Sequence, residues 1–508
     1  MIRKKSRRSL RLLSYAITAW LSMPAAAWAA ESQPGETSVS TADIHVEADV
    51  AKEEAKYESQ QKTIITKEDI EKKQAKSVEE IIFSETGVSR TVDAMGRVGV
   101  SIRGAEPRHT LILVDGQPVM GDFAKYYGAA DEVMRLGTEN VERIEIIQGA
   151  ASSRYGSDAI GGVVNIITKG TPDKLSGSAT LYYSHPQHKE EGGSRRASFS
   201  LGAPLSEMLG FRLTGNIAKT DSDAWDINRN HASTRTGIFA GTFPAGREGV
   251  RNRDLDARLS LKANAQHRLD LDASFSRQGN IYTGDTQNTN NYTTLPNGQL
   301  APTARRVQEA LGSETNRIYR SNYALTHTGR YEGGASSSAY VQHEITRNER
   351  MDEGLAGGTE GLFSTGNFST AHLKSTTLHG EYNQPGKWGS LDHVITLGLE
   401  GVHQSFDDPN SVSQATTEGG TIAGLASTGR SSKISAKIYS VFVEDNIELT
   451  PETILTPGVR FDHHSKAGNN WSPSLNLSHS LTREITLKAG VARAYKAPNL
   501  YQLNPNYL

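Results

Sequence analysis

The sequence predicts an all-β membrane protein: a transmembrane outer-membrane β-barrel preceded by a smaller N-terminal α/β domain. Three observations predict this fold. From residue 171 onward, apolar and polar residues alternate over long segments. Short and long connectors alternate between those segments, which is typical of bacterial barrels. The N-terminus carries an export signal, so the mature chain is expected to leave the cytoplasm.

The alternating segments each have one apolar and one polar face. In LDARLSLK (255–262) and LDLDASFS (269–276), every second residue is apolar, and the residues between are charged or polar. Successive side chains of a strand point to opposite faces, so each segment has one face suited to hydrocarbon and one suited to water. We count about thirteen such strands between residues 171 and 508.

The connectors distinguish a barrel from a soluble β-sandwich, whose strands show the same alternation. Short connectors are predicted near residues 206–210, 263–267, 332–334, 450–452 and 482–484. Long connectors are predicted near residues 221–252, 278–316, 348–367 and 404–429. Short turns on one side and long loops on the other favour a barrel, because structureless loops of this length are unusual in a compact soluble domain.

The composition argues against several classes of protein. The 508 residues include 55 Lys and Arg against 57 Asp and Glu, so the net charge does not predict a nucleic-acid partner. There is no cysteine, which excludes a disulfide scaffold and a thiolate metal site. The mean hydropathy is -0.51 and the mature chain has no apolar run of ~18 residues, which argues against a helical membrane protein.

No catalytic motif is present, and we predict neither an enzyme nor a bound cofactor. The H-E-x-x-H, G-x-S-x-G and P-loop patterns are absent, which argues against a soluble β-rich enzyme. The run from Phe461 to His464 is the strongest candidate for a metal site. Because His463 and His464 are adjacent on a strand, their side chains point to opposite faces and cannot chelate one ion. We therefore predict no metal site.

Residues 1–29 are predicted to be a secretory signal peptide. A basic start precedes the apolar residues 12–21, and Ala27-Trp28-Ala29 has the pattern of a cleavage site, with residues 25–27 as the alternative. The apolar run is too short for a transmembrane anchor. The mature protein should therefore enter a bacterial periplasm.

Residues 30–56 are predicted to be a periplasmic segment that contains one short extended stretch, ADIHVEA (42–48). In it Ile44 and Val46 alternate with polar neighbours. A strand this short has no local partner, so it is suited to pairing with the sheet edge of another protein. An ordinary linker strand is the alternative.

Residues 57–170 are predicted to form a small α/β domain. Thr66 and Ser77 have the patterns of helix N-caps, the first within a capping box. Short apolar strands are predicted at 111–114, 141–147 and 163–168. Glycines at the joints between these strands supply positive φ and let backbones approach closely.

This domain resembles the plug of TonB-dependent outer-membrane receptors. The resemblance is carried by SIRG (101–104), VDG (114–116), VERIEIIQG (141–149), RYG (154–156) and AIGGVVNIITK (159–169). It implies that the plug fills a barrel formed by residues 171–508. It also implies that the extended stretch is a TonB box, made of Asp43, Ile44, His45, Val46 and Glu47. The partner would then be TonB, driven by the ExbB–ExbD energy complex.

The barrel half resembles, more narrowly, the ferric enterobactin receptors. The matching segments are GDTQNTN (284–290), ETNRIYRSNYALT (314–326), EGLAGGTEG (353–361), VEDNIELT (443–450), TPGVRFDHH (456–464), GNNWSPSLNLS (468–478) and ARAYKAPNLYQLNPNYL (492–508). The resemblance implies import of a ferric catecholate siderophore, with iron as cargo rather than as a cofactor. Residues 121–136 of the plug match less closely, so the exact siderophore is left open.

A ferric tris-catecholate is an aromatic trianion, and its binding requires cationic and aromatic side chains. The candidates for this role are Tyr126, Tyr127, Tyr282, Tyr292, Arg305, Arg306, Arg317, Tyr319 and Arg320. The alternative for each is a lipopolysaccharide contact or a place in the aromatic girdle at the barrel rim.

The resemblance implies a location in the bacterial outer membrane, with membrane lipids and lipopolysaccharide as further partners. Two alternatives stay open for the function. One is uptake of haem, cobalamin or another iron complex, and the other is a bacteriocin or adhesin docking surface without transport. Members of the resembled family have twenty-two strands, so thirteen strands and an end at residue 508 predict a truncated barrel.

Overall fold

The computed structural model describes residues 59–73, 77–92, 98–120, 137–224, 227, 249–281, 312–352, 364–409 and 431–504. All of these residues belong to one compact unit, residues 51–508. Within the described ranges, no helix is both long enough and apolar enough to cross a membrane.

The N-terminal part of this unit is a small α/β fold, which we call the plug. Its elements are β1 Gln61–Thr66, α1 Lys67–Lys72, α2 Val78–Phe83, β2 Val88–Val92, β3 Val98–Ile102, β4 Thr110–Val114, β5 Gln117–Pro118, β6 Val141–Gln148, α3 Ser152–Tyr155 and β7 Gly162–Thr168. Five strands form one sheet in the order β1-β6-β7-β4-β5, and β2 pairs with β3 in a separate hairpin. The β4–β7 pair is parallel, and the predicted α/β class of this region is confirmed.

Side-chain caps begin helices α1 and α2 of the plug, as predicted. The Asp69 backbone N–H donates to Thr66 Oγ1 (3.3 Å), and the Thr66 N–H donates to Asp69 Oδ2 (3.0 Å), which completes the capping box. Ser77 Oγ accepts from the Glu80 N–H at 3.2 Å. Helix α2 ends at Phe83, earlier than the glycine at position 87 suggests. Gly87, with φ of +81°, instead turns the chain into β2.

The plug has its own apolar core. Its buried aliphatic side chains come from α1, α2, the β2–β3 hairpin and the five-stranded sheet: Ile65, Ile70, Val78, Ile81, Ile82, Ile102, Ile112, Ile144, Ile146, Val164 and Ile166. Gly162 is required where β7 begins, because its φ is +154° and a Cβ there would lie 2.3 Å from the Ile147 carbonyl oxygen. The core is contiguous and separate from the strands that follow.

The following strands form one antiparallel sheet, which we call the wall. Within the described residues the wall has thirteen strands, the predicted number. They are β8 Ser176–Ser184, β9 Ser194–Pro204, β10 Leu209–Thr220, β11 Gly249–Lys262, β12 His267–Ile281, β13 Glu314–Arg330, β14 Ser336–Asp352, β15 Ser364–Trp388, β16 Leu391–Asp407, β17 Lys433–Thr450, β18 Thr453–His464, β19 Gly468–Ser480 and β20 Thr486–Ala492. Each strand pairs with its neighbours in the sequence, so the topology is up-and-down.

The two faces of the wall differ in polarity, as the alternation predicts. The outer face exposes large apolar side chains, for example Leu399 at 65% and Val441 at 54% exposed. The inner face buries polar ones, for example Thr377, Thr396 and Ser440, each less than 5% exposed. An apolar outer surface of this extent is costly in water and favourable in hydrocarbon.

The wall curls around the plug. At one end of the sheet, Ser198 Oγ of β9 donates to Glu139 Oε1 of the plug (2.8 Å). At the other end, Lys488 Nζ of β20 donates to the Gln60 carbonyl oxygen (3.0 Å). Because strands from both ends of the sheet contact the same small unit, the sheet is a curved barrel wall with the plug against its inner face.

The connectors alternate in length with one exception. The short ones are 205–208, 263–266, 331–335, 389–390, 451–452 and 481–485, and most of those at the opposite end are long. The exception is the connector between β18 and β19, residues 465–467, which lies at the long-connector end but is a tight turn. Gly468 has φ of +84°, which allows this turn to close.

An arginine placed on the outer face should be costly in proportion to its depth. Leu399→Arg, at the middle of β16, is expected to lower the free energy of unfolding by about 2–4 kcal/mol, and Trp388→Arg, at the turn end of β15, by no more than about 1 kcal/mol. Urea titration of the protein reconstituted in phospholipid vesicles measures both. Equal costs at the two depths would contradict a hydrocarbon-facing surface.

Candidate functional site

The interface between plug and wall is the candidate functional site, and it is held mainly by ionic and polar contacts. The strongest group of these contacts centres on Arg154, in helix α3. Its guanidinium lies 2.6 Å from Glu381 Oε1 of β15 and 3.4 Å from Glu444 Oε1 of β17. Ser153, next to it, accepts a hydrogen bond from Ser474 of β19 at 2.9 Å. One short helix is therefore attached to three strands.

Arg460 of β18 completes this group from the wall side. Its Nη1 donates to the Arg154 carbonyl oxygen at 3.0 Å. Its other nitrogens contact Glu400 Oε1 (2.6 Å) and Asp462 Oδ1 (2.7 Å). Arg460 is only 2% exposed, and the Phe442 ring lies beneath it at 5.6 Å. Removing one partner of a buried pair of this kind leaves an uncompensated charge, which costs about 3–5 kcal/mol.

Gly156 makes the approach of Arg460 possible. Its φ is +73°, and a Cβ at this position would lie 2.9 Å from Arg460 Nη2. Both the backbone conformation and the space therefore require glycine. Gly156 is the last residue of the RYG motif, which therefore has two roles. Its arginine, Arg154, forms ion pairs with the wall, and its glycine leaves the space that Arg460 of the wall occupies.

A second ionic group attaches the opposite side of the plug. Asp115, in the turn after β4, lies 2.7 Å from Arg258 Nη2 of β11, and Arg258 also contacts Asp272 of β12 at 2.6 Å. Asp115 accepts from the Thr168 N–H (2.8 Å) and hydroxyl (2.6 Å), so one carboxylate joins two plug strands to the wall. Asp115 itself has φ of +51°, a conformation that aspartate tolerates better than most residues.

The first strand of the plug is attached by a buried carboxylate. Glu145 of β6 is 9% exposed and lies 3.5 Å from Lys62 Nζ of β1 and 2.8 Å from Arg143 Nε. Burial alone would raise the pKa of Glu145, but the positive charges of Lys62 and Arg143 outweigh it and lower the pKa. Because β1 is the edge strand nearest the N-terminal segment, this ion pair lies close to the start of the plug, directly after the contacts of Gln60 with Lys488 and Ala150.

A cavity of about 260 Å³ lies between plug and wall toward the long-connector end. Its lining includes Tyr155, Arg460 and Tyr495. The chain beyond β20 covers it: Lys496 Nζ is paired with Asp158 of the plug and donates to a plug carbonyl oxygen at 3.0 Å. The short helix α4, Leu500–Leu503, then packs on the inner face of β16 and β17.

Most residues predicted to bind cargo or TonB fall outside the described residues. These are Asp43, Ile44, His45, Val46, Glu47, Tyr126, Tyr127, Tyr282, Tyr292, Arg305 and Arg306. Arg317, Tyr319 and Arg320 are described, on β13. Arg320 is 4% exposed and on the inner face. Arg317 and Tyr319 are an even number of residues from the exposed Tyr323 and therefore lie on the outer face. The structure thus places Arg320 on the opposite face of the wall from the other two candidates.

Sequence reasoning did not single out the charged residues that join plug and wall. The plug members, Asp115 and Arg154, lie within the quoted VDG and RYG motifs. The wall members are charged residues on the polar parity of long strands: Arg258, Glu381, Glu400, Glu444 and Arg460. Their positions in the alternating pattern could have identified them as inward-facing. Their partners could not have been identified in this way, because they are distant in the sequence.

The two adjacent histidines of β18 lie on opposite faces of the wall. His463 contacts Asn469 Oδ1 on the outer face (2.6 Å), whereas His464 is buried and accepts from the Lys466 and Ala467 backbone N–H groups. In the part of the chain that the structure describes, no group of three or more His, Cys, Asp or Glu side chains could hold a metal ion.

Comparison with known proteins identifies both parts of the chain. Residues 55–163 match the TonB-dependent Receptor Plug Domain family, and residues 212–507 match the TonB dependent receptor-like, beta-barrel family. The chain is 54% identical over 462 residues to the ferric enterobactin receptor of Pseudomonas aeruginosa, and 45% identical over 496 residues to the ferrienterobactin receptor of Escherichia coli K12. These matches cover 88% and 94% of this chain, but only 60% and 64% of the two relatives.

Solved structures give the same result. A mutant of the Pseudomonas aeruginosa ferric enterobactin receptor superposes with a TM-score of 0.78 at 50% identity, covering 90% of this chain and 64% of that one. Another mutant of that receptor, in complex with enterobactin, gives a TM-score of 0.78 at 49% identity, covering 89% of this chain and 65% of that one.

A side chain at position 156 should loosen the plug from the wall. Gly156→Ala is expected to add the strain of positive φ, about 1–3 kcal/mol, and also to displace Arg460. Gly104→Ala is the matched control, because Gly104 has φ of +78° but nothing within 4 Å of its Cβ position. Limited proteolysis of the detergent-solubilised protein should cleave the plug faster in the first variant. Equal cleavage in both would show that the close approach is unimportant.

The Glu145 ion pair should make the stability of the plug depend on pH. Because folding lowers the pKa of Glu145, its contribution is complete above the unfolded value of about 4.5 and is lost as the pH falls through the folded value. We expect Glu145→Gln to lower the midpoint of thermal unfolding at pH 7, with a difference from the wild type that shrinks toward pH 3. Glu71→Gln, at an exposed carboxylate, is the control. A difference that stays constant with pH would refute this account.

Proposed function

Because the chain belongs to the TonB-dependent receptor family, we propose that it is an outer-membrane receptor that imports a ferric catecholate siderophore such as ferric enterobactin. The observation that carries this proposal is the pairing of an apolar outer face with a polar inner face that holds a separately folded plug through ionic contacts. A buried ion pair adds little net stability when both of its partners can regain water together, so such contacts oppose movement of the plug less than a continuous apolar interface would. The names of the two relatives support the choice of cargo.

The plug is suited to being moved from its N-terminus. We propose that residues 42–48 add as a strand to the sheet edge of TonB, which is driven by the ExbB–ExbD complex. A pull on this segment reaches the contacts of Gln60 with Lys488 and Ala150 first, and then the Glu145 ion pair that attaches β1 to β6. The contacts of Arg154 and Asp115 with the wall lie further along the plug and would be loaded after it.

The cargo would be captured at the end that carries the long connectors. Tyr126, Tyr127, Tyr282, Tyr292, Arg305 and Arg306 remain proposed ligands there. Among the described candidates, Arg320 is the one whose position on the inner face suits contact with cargo. It lies one inward-facing position beyond Asn322, whose partner in the register, Glu344, accepts a hydrogen bond from the Met120 N–H of the plug. No bond is made or broken, and iron enters as cargo.

Uptake and binding should separate when the N-terminal strand is disrupted. We expect Ile44→Pro to abolish uptake of ⁵⁵Fe-labelled ferric enterobactin by cells and to leave its surface binding unchanged, because proline removes a backbone donor needed for strand pairing. Ser38→Pro, upstream of the stretch, is the control and should transport normally. Equal loss of binding and uptake would contradict the coupling role.

Competition on the same cells tests the cargo. Unlabelled ferric enterobactin should displace the label, whereas haem and cobalamin should not. Displacement by either of these would favour the alternative cargo class. Binding without any uptake, in an otherwise TonB-competent strain, would favour a docking surface for bacteriocins.

A further inference from the structure

His379 of β15 lies between two wall carboxylates that bind arginines at the plug interface. Its Nδ1 lies 3.2 Å from Glu400 Oε2, and its Nε2 lies 3.8 Å from Glu381 Oε2. The histidine side chain is 16% exposed, so protein groups make up most of its surroundings. The imidazole ring therefore bridges carboxylates on two neighbouring strands.

Each of these carboxylates divides its two oxygen atoms between an arginine and His379. Glu381 Oε1 contacts Arg154 of the plug at 2.6 Å, and its Oε2 faces His379. Glu400 Oε1 contacts Arg460 of the wall at 2.6 Å, and its Oε2 faces His379. His379 is thus a second counter-ion for both carboxylates. Unlike Arg154, it belongs to the wall and stays there if the plug moves.

The positions of the two ring nitrogens favour a doubly protonated ring. A neutral imidazole has one N–H donor, and its other nitrogen presents a lone pair. A carboxylate oxygen repels that lone pair, whereas an imidazolium ion is attracted to carboxylates on both sides. Because Nδ1 and Nε2 of His379 both face carboxylates, the imidazolium ion fits this position.

The charges around His379 also favour a cation. The titratable groups that surround it come from each neighbouring element: Tyr340 of β14, Glu381 of β15, Glu400 of β16, Glu444 of β17, Arg460 and Asp462 of β18, and Arg154 of helix α3. Within this group four carboxylates share two guanidinium groups. A second proton on the His379 ring reduces the excess of negative charge.

Two aromatic rings fix the plane of the imidazole. The Tyr340 ring is stacked on it, with ring centres 5.0 Å apart and planes inclined by 15°. The Phe442 ring is also stacked on it, at 6.1 Å and 29°. Phe442 occupies the space that a Cβ at Gly398 would need, so glycine at position 398 allows this arrangement. Aromatic faces attract a cation, and the stacked ring is held with both nitrogens toward the carboxylates.

We propose that His379 is a positioning residue for movement of the plug: its imidazolium ion keeps Glu381 paired when Arg154 leaves. Removing one partner of a buried ion pair ordinarily leaves an uncompensated charge. With His379 in place, the departure of Arg154 leaves a cation beside Glu381, and detachment of the plug costs less. The inference rests on the proposed movement of the plug and identifies the wall residue that lowers its cost.

Removing the charge of His379 should hold the plug more tightly. His379→Gln keeps a side chain that forms hydrogen bonds but lacks the charge, so Glu381 depends more strongly on Arg154. We expect limited proteolysis of the detergent-solubilised protein to cleave the plug at least about twofold more slowly, which is the lower end of the coupling between contacting residues. Loss of a residue with a purely structural role would have the opposite effect, faster cleavage.

His393→Gln on β16 is the matched control. His393 also pairs with a carboxylate, Asp445 at 2.9 Å, but it has the strand position of the exposed Leu399 and lies on the outer face. This variant should be cleaved at the wild-type rate. His379→Lys restores a positive charge and should return the cleavage rate toward that of the wild type. Circular dichroism with wild-type sheet content shows that the variants are folded.

Nitrogen NMR of the wild-type protein tests the protonation of His379 directly. In protein labelled with ¹⁵N-histidine, the signals of this ring are identified by their loss from the spectrum of either His379 variant. We expect both ring nitrogens to carry protons at neutral pH. This measurement needs only one of the two variants to fold.

Three results would overturn the proposal: a neutral His379 ring at neutral pH, cleavage of the plug in His379→Gln that is as fast as in the wild type or faster, or equal slowing by His393→Gln. All of these measurements are made without cargo and without transport. Failure of siderophore uptake would therefore end the proposed function and leave a positive result for His379 standing.

Discussion

The constraint on which this structure depends is the two-residue period of the extended chain. Every strand of the wall presents alternate side chains to opposite faces, so an apolar outer face brings with it a polar inner face. The buried serines, threonines and charged residues of that inner face need partners. Neighbouring wall residues supply some of them. The plug supplies others, because its own apolar residues are enclosed in a separate core and its surface carries Arg154, Asp115 and polar backbone groups.

This division keeps the apolar core of the plug distinct from the wall, although both lie in one compact unit. The interior of the plug is held together by apolar packing, whereas its attachment to the wall relies on ion pairs and hydrogen bonds. Buried ion pairs are poor sources of net stability but are strict about geometry. Arg460 illustrates the point: its guanidinium reaches the backbone of helix α3 only because residue 156 has no side chain. These contacts define the position of the plug closely. Water can nevertheless replace them if the plug moves.

The outer face has a polarity pattern of its own along each strand. Aliphatic residues occupy the middle of the strands, and on β11 to β14 they give way to arginines, carboxylates and an aromatic ring at the end with the long connectors. On β13, the four-residue stretch 317–320 presents Arg317 and Tyr319 on the outer face and Arg320 on the inner face. Adjacent residues can thus meet different surroundings, because neighbouring side chains on a strand never share a face.

Alternation and connector length were enough to predict the number of strands, their antiparallel order and the apolar outer face, because these features depend on residues that are neighbours in the sequence. The caps of α1 and α2 were predictable for the same reason. Contacts between distant residues were not: nothing near Arg154 indicates Glu381, and nothing near Gly156 indicates Arg460. Equally, Arg317, Tyr319 and Arg320 looked alike as candidates for cargo binding until the register assigned them to different faces. The pairing of charged residues across the interface depends on how the sheet curves around the plug. That curvature is a property of the whole fold and not of any one segment of the sequence.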